Sequence, residues 1–172
     1  MIYTIPKGKH RVSKFPILFW MGAKALHYRV RFDDSWKQSW PGEDKDDVSK
    51  LLGIGCFNLA YLLKGKAPHH WKGIRIGIDY NESLDAMDVY EYIHHRGVRF
   101  FKKVFEFQFN VDYHIHLYKT PDKTQASITD TNNNTLISFD GPAWRGVSYL
   151  LRPFFGGSNP ARRDTNVILK RL

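Results

Sequence analysis

The sequence predicts an all-β protein, a largely antiparallel β-sandwich built by one domain of residues 1–172. Three observations predict it: a long stretch in which apolar and polar residues alternate, an aromatic content of 15%, and short apolar segments separated by turn residues. Aromatic and β-branched side chains suit the pleated, half-buried surface of a sheet. A chain of 172 residues also lies within the size of a single domain that buries its own core.

The longest alternation covers residues 105–118. Because the side chains of a strand point alternately to its two faces, this pattern places one set of residues in a core and the other set on the opposite face. The apolar set is Phe105, Phe107, Phe109, Val111, Tyr113, Ile115 and Leu117. A single strand of this length would exceed the usual size, so we expect a bend or bulge near Asn110.

Shorter patterns of the same kind predict further strands, at residues 26–32, 74–78, 87–93, 127–131, 135–139, 148–155 and 166–170. The run Asn132-Asn133-Asn134 predicts a hairpin loop, because Asn tolerates a positive φ. Gly97 predicts the turn after residues 87–93. One short helix is expected near residues 45–52, with Asp44 as its N-cap, acidic residues in its first turn and Gly53 at its end.

The formal net charge of the chain is +9. An excess of positive charge favours acidic partners, which include anionic glycans, nucleic acids and membrane surfaces. Basic residues beside many aromatics keep nucleic acid as a minority alternative, which we do not favour because the sequence carries no helix-turn-helix, zinc-finger or ribonucleoprotein motif. We expect no membrane span, since no apolar stretch approaches the ~18 residues that a spanning helix requires.

The single cysteine, Cys56, lies in the apolar stretch 52–63 and is expected to be a buried structural thiol. Basic residues before the apolar run 15–21 imitate a signal peptide, but the run is short and contains Pro16. We therefore expect the N-terminus to belong to the mature protein, and we expect a cytoplasmic location.

His114 and His116 form the most suggestive pair of metal ligands, because residues two apart on a strand point the same way. A third ligand would have to come from another strand, and His94, His95 and Asp112 are the candidates for it. The pattern of a cupin metal site, with its preceding Gly, following Glu and later His, is absent. We therefore predict two polar residues on an exposed sheet face, and we expect no metal ion and no cofactor.

The sequence carries no pattern that indicates a catalytic site. On a strand, Asp85 and Glu91 would share one face while Asp88 takes the other, which separates the paired carboxylates that a glycosidase requires. Cys56 has no base near it in the sequence, and neither a nucleophile elbow nor a phosphate-binding loop occurs. We expect no catalytic residue and favour a protein that is not an enzyme.

Three stretches together carry a resemblance to a known group of proteins. They are residues 50–55 running on to 75–78, Tyr90-Glu91-Tyr92 followed by Gly97-Val98-Arg99, and residues 149–157 ending in Ala161-Arg162-Arg163-Asp164. From about Lys50 onward the chain resembles a small group of uncharacterised bacterial and phage-associated proteins with a jelly-roll sandwich of the concanavalin A-like type. The resemblance implies this fold and no particular activity. That group has Pro-His-Asp where this chain has Arg162-Arg163-Asp164, so a role of that His would be lost here.

The jelly-roll fold favours a non-catalytic carbohydrate-binding or recognition module, because such sandwiches present a sheet face or a rim of loops to glycans. The candidate ligand-binding residues come from the polar face of residues 105–118 and from other basic and aromatic positions; they are Asn110, Asp112, His114, His116, Tyr90, Tyr92, Trp71 and Arg75. The expected ligand is a glycan or another acidic polymer. A structural or assembly protein with protein partners is one alternative, and an enzyme that cleaves an acidic polysaccharide by β-elimination is another.

Overall fold

The computed structural model describes residues 2–12, 25–38, 48–156 and 159–172. The strands within these residues are β1 (Ile2–Ile5), β2 (Ala25–Arg31), β3 (Ser49–Cys56), β4 (Lys72–Asn81), β5 (Ala86–His95), β6 (Val98–Phe107), β7 (Tyr113–Lys119), β8 (Thr124–Thr129), β9 (Thr135–Gly141), β10 (Ser148–Leu151) and β11 (Thr165–Arg171). Helix α1 is Leu59–Leu63, and two 3-10 turns cover Asp34–Trp36 and Pro68–His70.

Two antiparallel sheets contain all of these strands. The six-stranded sheet has the order β1-β11-β2-β7-β8-β9, and the five-stranded sheet has the order β10-β3-β4-β5-β6. Neighbouring strands in both sheets run antiparallel. The predicted antiparallel β-sandwich with a short helix is confirmed.

The core lies between the inner faces of the two sheets. On β4 of the five-stranded sheet, Ile74, Ile76 and Ile78 are fully buried. On β7 of the six-stranded sheet, Ile115 and Leu117 are fully buried as well. Alternate residues of each sheet thus fill the space between the sheets, as expected for a sandwich.

Residues 105–118 form two strands in two different sheets rather than one bent strand. Strand β6 ends at Phe107 in the five-stranded sheet, and β7 begins at Tyr113 in the six-stranded sheet. Asn110 lies in the connection with a φ of +60°, and its N–H donates to the carbonyl oxygen of Phe32 over 2.8 Å. The alternation continues across the change of sheet because both strands face the same core, where the ring centroids of Phe107 and Tyr113 are 4.6 Å apart.

Strand β3 occupies part of the segment in which the short helix was expected, residues 45–52. Residues 39–47 lie outside the described residues, and the chain from Ser49 onward is extended. All of β3 is buried, because one face adjoins the core and the other is covered by neighbouring segments. The register against β4 shifts between Lys50 and Gly53, and this bulge buries Leu51 and Leu52 in succession. Burial on both faces therefore overrides the local helix signal.

The short helix is instead α1. Its N-cap is Asn58, whose side-chain oxygen accepts a hydrogen bond from the backbone N–H of Tyr61 at 3.0 Å. Leu59, Leu62 and Leu63 on this helix are exposed. The helix thus lacks the buried apolar face that would have made it visible as a periodic pattern in the sequence.

Both predicted turns are present. Arg96 and Gly97 join β5 to β6 with φ angles of +52° and +85°, a combination that suits the twist of a tight hairpin. Asn133 has a φ of +67° in the loop between β8 and β9. The Asn-rich run therefore forms the predicted hairpin.

Residues 152–156 cross the end of β3 and help to cover it. Phe154 exchanges two backbone hydrogen bonds with Lys50, each 2.7 Å long. The same residue forms a bridge to Arg11 of the N-terminal segment. This crossing places three basic side chains, those of Arg11, Lys50 and Arg152, near one another on the outer side of the five-stranded sheet.

The substitution Phe107→Ala tests the position of the core. Phe107 is fully buried, so the loss of its ring should lower the free energy of unfolding by about 3–5 kcal/mol. Phe100→Ala is the matched control on the same strand, because Phe100 is 55% exposed; it should change the free energy by no more than about 0.5 kcal/mol. Urea unfolding measures both values, and equal losses would contradict the assigned core face of β6.

Candidate ligand-binding cleft

A cleft crosses the outer face of the five-stranded sheet. The strand register aligns one row of residues across four strands, namely Tyr149, Gly55, Gly73 and His94. It aligns a second row two residues away, namely Leu151, Gly53, Arg75 and Tyr92. Because the isoleucines that alternate with these positions on β4 point into the core, both rows lie on the face directed away from it.

Glycines on β3 let two residues that line the cleft lie close to the sheet. A Cβ atom on Gly55 would lie 2.5 Å from the Cβ atom of His69, and one on Gly53 would lie 2.5 Å from the Cγ atom of Arg75. A side chain at either position would therefore displace its neighbour. The absence of side chains lets the turn that carries His69 approach β3 closely and leaves room for Arg75 beside it.

The cleft has a volume of about 690 Å³. Its lining includes residues of the turn Pro68–His70 and of the crossing segment 152–154. The basic and titratable side chains that line it are Arg11, Lys50, Arg75, Arg152, His69, His70, His94, Tyr92 and Tyr149. Within the described ranges no Asp or Glu lines the cleft, so its charged groups are all positive.

Arg75 is the most unusual of these residues. It is only 8% exposed, and its Nη2 atom donates to the carbonyl oxygen of Arg152 over 2.7 Å. Its Nε atom is buried and has no hydrogen-bond partner. Burial lowers the pKa of Arg75 to about 10, which still leaves the guanidinium charged at neutral pH. A charged group is thus removed from water without a matching carboxylate in the described part of the chain.

Lys50 adds a second buried cation to the cleft. The residue is 8% exposed, and its Nζ atom lies 5.3 Å from the ring centroid of Tyr92 and 5.9 Å from that of Phe154. Both distances fall within the range of a cation–π contact. The two aromatic faces partly replace the water that Lys50 loses on burial.

His69 and Tyr149 form a hydrogen-bonded pair. The hydroxyl oxygen of Tyr149 accepts from the backbone N–H of His69 at 3.0 Å, and it lies 2.7 Å from the Nδ1 atom of the same residue. Since the backbone contact already uses the oxygen as an acceptor, the hydroxyl proton can be donated to Nδ1. His69 then carries its own proton on Nε2.

Burial controls the protonation of the cleft histidines and of Tyr149. Loss of water lowers the pKa of His69 to about 3 and that of His94 to about 4, with nearby positive charges such as Arg75 adding to both shifts. Burial also raises the pKa of Tyr149 to about 12. At neutral pH these groups are uncharged hydrogen-bonding groups, and the charge of the cleft comes from its arginines and Lys50.

Three of the ligand residues predicted from sequence lie on this face. Arg75 and Tyr92 line the cleft itself, and Tyr90 lies one row farther along β5. A fourth, Trp71, follows the turn Pro68–His70 and packs on Tyr61 with ring centroids 5.3 Å apart. Trp71 is not among the residues that line the cleft.

The other four predicted residues belong to the opposite side of the sandwich. His114 and His116 lie on β7 of the six-stranded sheet, and Asn110 and Asp112 precede that strand. The carboxylate of Asp112 accepts hydrogen bonds of 2.8 and 2.7 Å from Arg31, and this contact lowers the pKa of Asp112. The structure therefore separates the predicted residues into two groups instead of bringing them together.

The sequence-based set of ligand residues omits seven basic or titratable residues that line the cleft, namely Arg11, Lys50, His69, His70, His94, Tyr149 and Arg152. The signal that could have indicated some of them is the spacing of glycines in two segments that form strands, at Gly53 and Gly55 in β3 and at Gly73 and Gly77 in β4. Glycine at alternate positions of a strand marks a face that another segment approaches closely.

Fold and site together define an antiparallel β-sandwich with a basic, histidine-containing cleft on one outer face. No helix among the described residues is long and apolar enough to cross a membrane. No family model matches the sequence, and no curated protein matches it.

Several solved structures are similar to this chain. A functionally unknown protein from Saccharomyces cerevisiae has a TM-score of 0.51 and 9% identity over 92% of this chain and 74% of that one. The enzymatically active domain of bacteriophage CBA120 tailspike protein 2 has a TM-score of 0.45 and 15% identity over 91% of this chain and 23% of that one. A 1,3-alpha-1,4-beta-D-galactose-4-sulfate-3,6-anhydro-D-galactose 4 galactohydrolase has a TM-score of 0.45 and 11% identity over 99% of this chain and 78% of that one. The first likeness shows a shared fold, and none of the three assigns an activity to this chain.

The buried histidines should make the protein less stable in acid. The unfolded chain binds protons at His69 and His94 near pH 6.5, whereas the folded protein does so only near about 3 and about 4. As the pH falls from about 6.5 towards 4, the unfolded state therefore takes up more protons, and the free energy of unfolding decreases. Urea unfolding at a series of pH values measures this slope.

The variant His94→Gln separates the contribution of one histidine. The slope of the unfolding free energy against pH is proportional to the difference in bound protons between the unfolded and the folded state. The variant should reduce that difference by up to about one proton between pH 4 and 6.5. Far-ultraviolet circular dichroism at neutral pH verifies that the variant folds. An unchanged slope in the folded variant would show that His94 is not buried in its neutral form.

Proposed function

We propose that the protein is a non-catalytic recognition module that binds an acidic glycan in the cleft of the five-stranded sheet. The observation that carries this proposal is the buried guanidinium of Arg75. Among the described residues it has no carboxylate partner, and its Nε atom makes no hydrogen bond.

A buried charge without a counterion is costly, because the hydrogen bonds and solvation that water supplied are lost. One carbonyl hydrogen bond from Arg152 replaces only part of that loss. A carboxylate or sulfate that enters the cleft would replace the rest, since a guanidinium matches the geometry of either anion. Lys50 and Arg11, which line the same cleft, add to the attraction.

The neutral groups of the cleft suit the hydroxyls of a sugar. His69, His94 and Tyr149 are uncharged at neutral pH and offer hydrogen-bond donors and acceptors beside the cations. Three aromatic side chains, those of Tyr92, Trp36 and Trp144, are buried and offer a sugar ring little exposed surface to stack on. Recognition would therefore depend on charge and hydrogen bonding more than on stacking of aromatic faces.

The depth of Arg75 favours a glycan over a nucleic acid. Proteins bind nucleic acids mainly through extended Lys and Arg side chains at exposed phosphates, and bind single strands by stacking bases on open aromatic faces. Here Arg75 is 8% exposed and Tyr92 is 6% exposed. An anionic group on a sugar ring that enters the cleft therefore matches the buried Arg75 better than the phosphates of a nucleic acid do.

Binding also fits the cleft better than cleavage by β-elimination. That reaction removes the proton next to the carboxyl group, forms a carbon–carbon double bond and protonates the departing glycosidic oxygen. Tyr149 and His69 would be the acid–base pair, but the pKa values of about 12 and about 3 make proton transfer from the tyrosine to the histidine strongly unfavourable. Uronate polymers should bind without gaining the ultraviolet absorbance of unsaturated ends.

The variant Arg75→Met tests the proposal. We expect its affinity for a polyuronate such as polygalacturonate to fall roughly 10-fold to 100-fold, the loss typical of charged hydrogen bonds. Because the variant removes a buried charge that has no carboxylate partner among the described residues, its melting temperature should rise by about 2–4 °C for each kcal/mol gained. Isothermal titration calorimetry and thermal unfolding measure the two effects.

Lys170→Gln is the matched control, since it removes the same charge from an exposed position on the other sheet. It should change neither affinity nor stability appreciably. Tight binding by Arg75→Met, or equal binding of a neutral glycan by the wild type, would contradict the proposal. Displacement of the polyuronate by single-stranded DNA at equal concentration would instead assign the cleft to nucleic acid.

A further inference from the structure

A second cluster of histidines lies on the outer face of the six-stranded sheet. Strands β2 and β7 are neighbours there, and His27 pairs directly with His116 in their register. His114 lies two residues from His116 on β7 and therefore points to the same face. Three imidazole rings from two adjacent strands thus meet on one surface.

The three rings are close enough to share one ion. One nitrogen from each of His27, His114 and His116 lies within 4.8 Å of the others. The ring centroids of His27 and His116 are 3.8 Å apart, and those of His27 and His114 are 5.4 Å apart. Tetrahedral zinc with bonds of about 2.0–2.1 Å to nitrogen requires nitrogen atoms roughly 3.3 Å apart, so a modest side-chain rotation would complete the site.

Unsatisfied hydrogen-bonding groups mark the same surface. The Nε2 atom of His27 is buried and has no hydrogen-bond partner. The Oγ1 atom of Thr129 is also buried without a hydrogen-bond partner. Thr129 pairs with His114 in the register of β7 and β8. Buried polar atoms are seldom left without a partner, and the unpaired Nε2 atom of His27 is therefore available to bind a ligand at this surface.

His114 has a contact that would orient it for coordination. Its Nδ1 atom lies 3.4 Å from the side-chain oxygen of Asn133, the loop residue between β8 and β9. A proton on Nδ1 directed at this oxygen leaves Nε2 free to bind a metal ion. Ligating histidines commonly use their second nitrogen in this way.

We propose that His27, His114 and His116 bind a divalent transition-metal ion, with Zn²⁺ as the best match. Imidazole nitrogen suits Zn²⁺, Cu²⁺ and Ni²⁺, whereas Ca²⁺ and Mg²⁺ prefer oxygen ligands. Three protein ligands leave a coordination position for water or for an oxygen or nitrogen atom of another molecule. This site is independent of the glycan-binding cleft, which lies on the other sheet.

The test uses the full chain, freed of metal by a chelator and then titrated with Zn²⁺ in a calorimeter. The wild type should bind one equivalent at this site, and Zn²⁺ should raise its melting temperature. His27→Gln and His116→Gln should each weaken binding by roughly 100-fold or more, since the loss of a ligand exceeds the 10–100-fold effect of losing an outer contact.

His94→Gln is the matched control, because the cleft contains its own histidines, with the ring centroids of His70 and His94 4.7 Å apart. It should leave Zn²⁺ binding unchanged. Loss of binding in His94→Gln, full binding in His116→Gln, or no binding by the wild type would overturn the proposal.

Copper gives a readout that does not depend on the folding of any variant. The electron paramagnetic resonance spectrum of the wild type with one equivalent of Cu²⁺ should show coupling to three imidazole nitrogens. Coupling to fewer than three would overturn the three-histidine site. In the absence of metal, His116→Gln should bind polygalacturonate as tightly as the wild type does, which separates the two sites.

Discussion

The alternation of side chains along β4 is the constraint on which both the core and the cleft depend. Its three isoleucines are fully buried between the sheets, so the residues between them must point the other way. Those residues include Arg75, with Gly73 and Gly77 on either side. The strand therefore cannot fill the core without also placing a guanidinium on its outer face.

Unsatisfied polar atoms in the described ranges coincide with the two proposed sites. The buried side-chain atoms without a hydrogen-bond partner are Nε of Arg75, Nε2 of His27 and Oγ1 of Thr129. Leaving such an atom unpaired costs about 1–3 kcal/mol, which is a large part of the stability of a domain. The first lies in the cleft, and the other two lie on the histidine surface of the six-stranded sheet. A ligand that paired with the Nε atom of Arg75 or the Nε2 atom of His27 would recover part of this cost.

Local sequence patterns were sufficient to predict an element where the burial of one of its faces decided its structure. The alternation of residues 105–118 correctly indicated strands, and Asn133 and Gly97 correctly indicated hairpins, because both depend on residues close in sequence. The pattern did not reveal that β6 and β7 belong to different sheets, since both face the same core. It also placed the short helix where β3 forms, because the covering of β3 on its second face comes from residues distant in sequence.

The sequence by itself determined the class of fold, the basic charge and the presence of His114 and His116 two positions apart on one strand. It also indicated Arg75, Tyr90 and Tyr92 as candidate ligand-binding residues, but it did not indicate the residues that lie beside them in the folded protein. Only the tertiary structure decided which residues meet. His69 and Tyr149 join Arg75 in the cleft, and His27 joins His116, through pairing between segments far apart in the chain. Strand order and register depend on packing of the whole sandwich, and no local pattern encodes them.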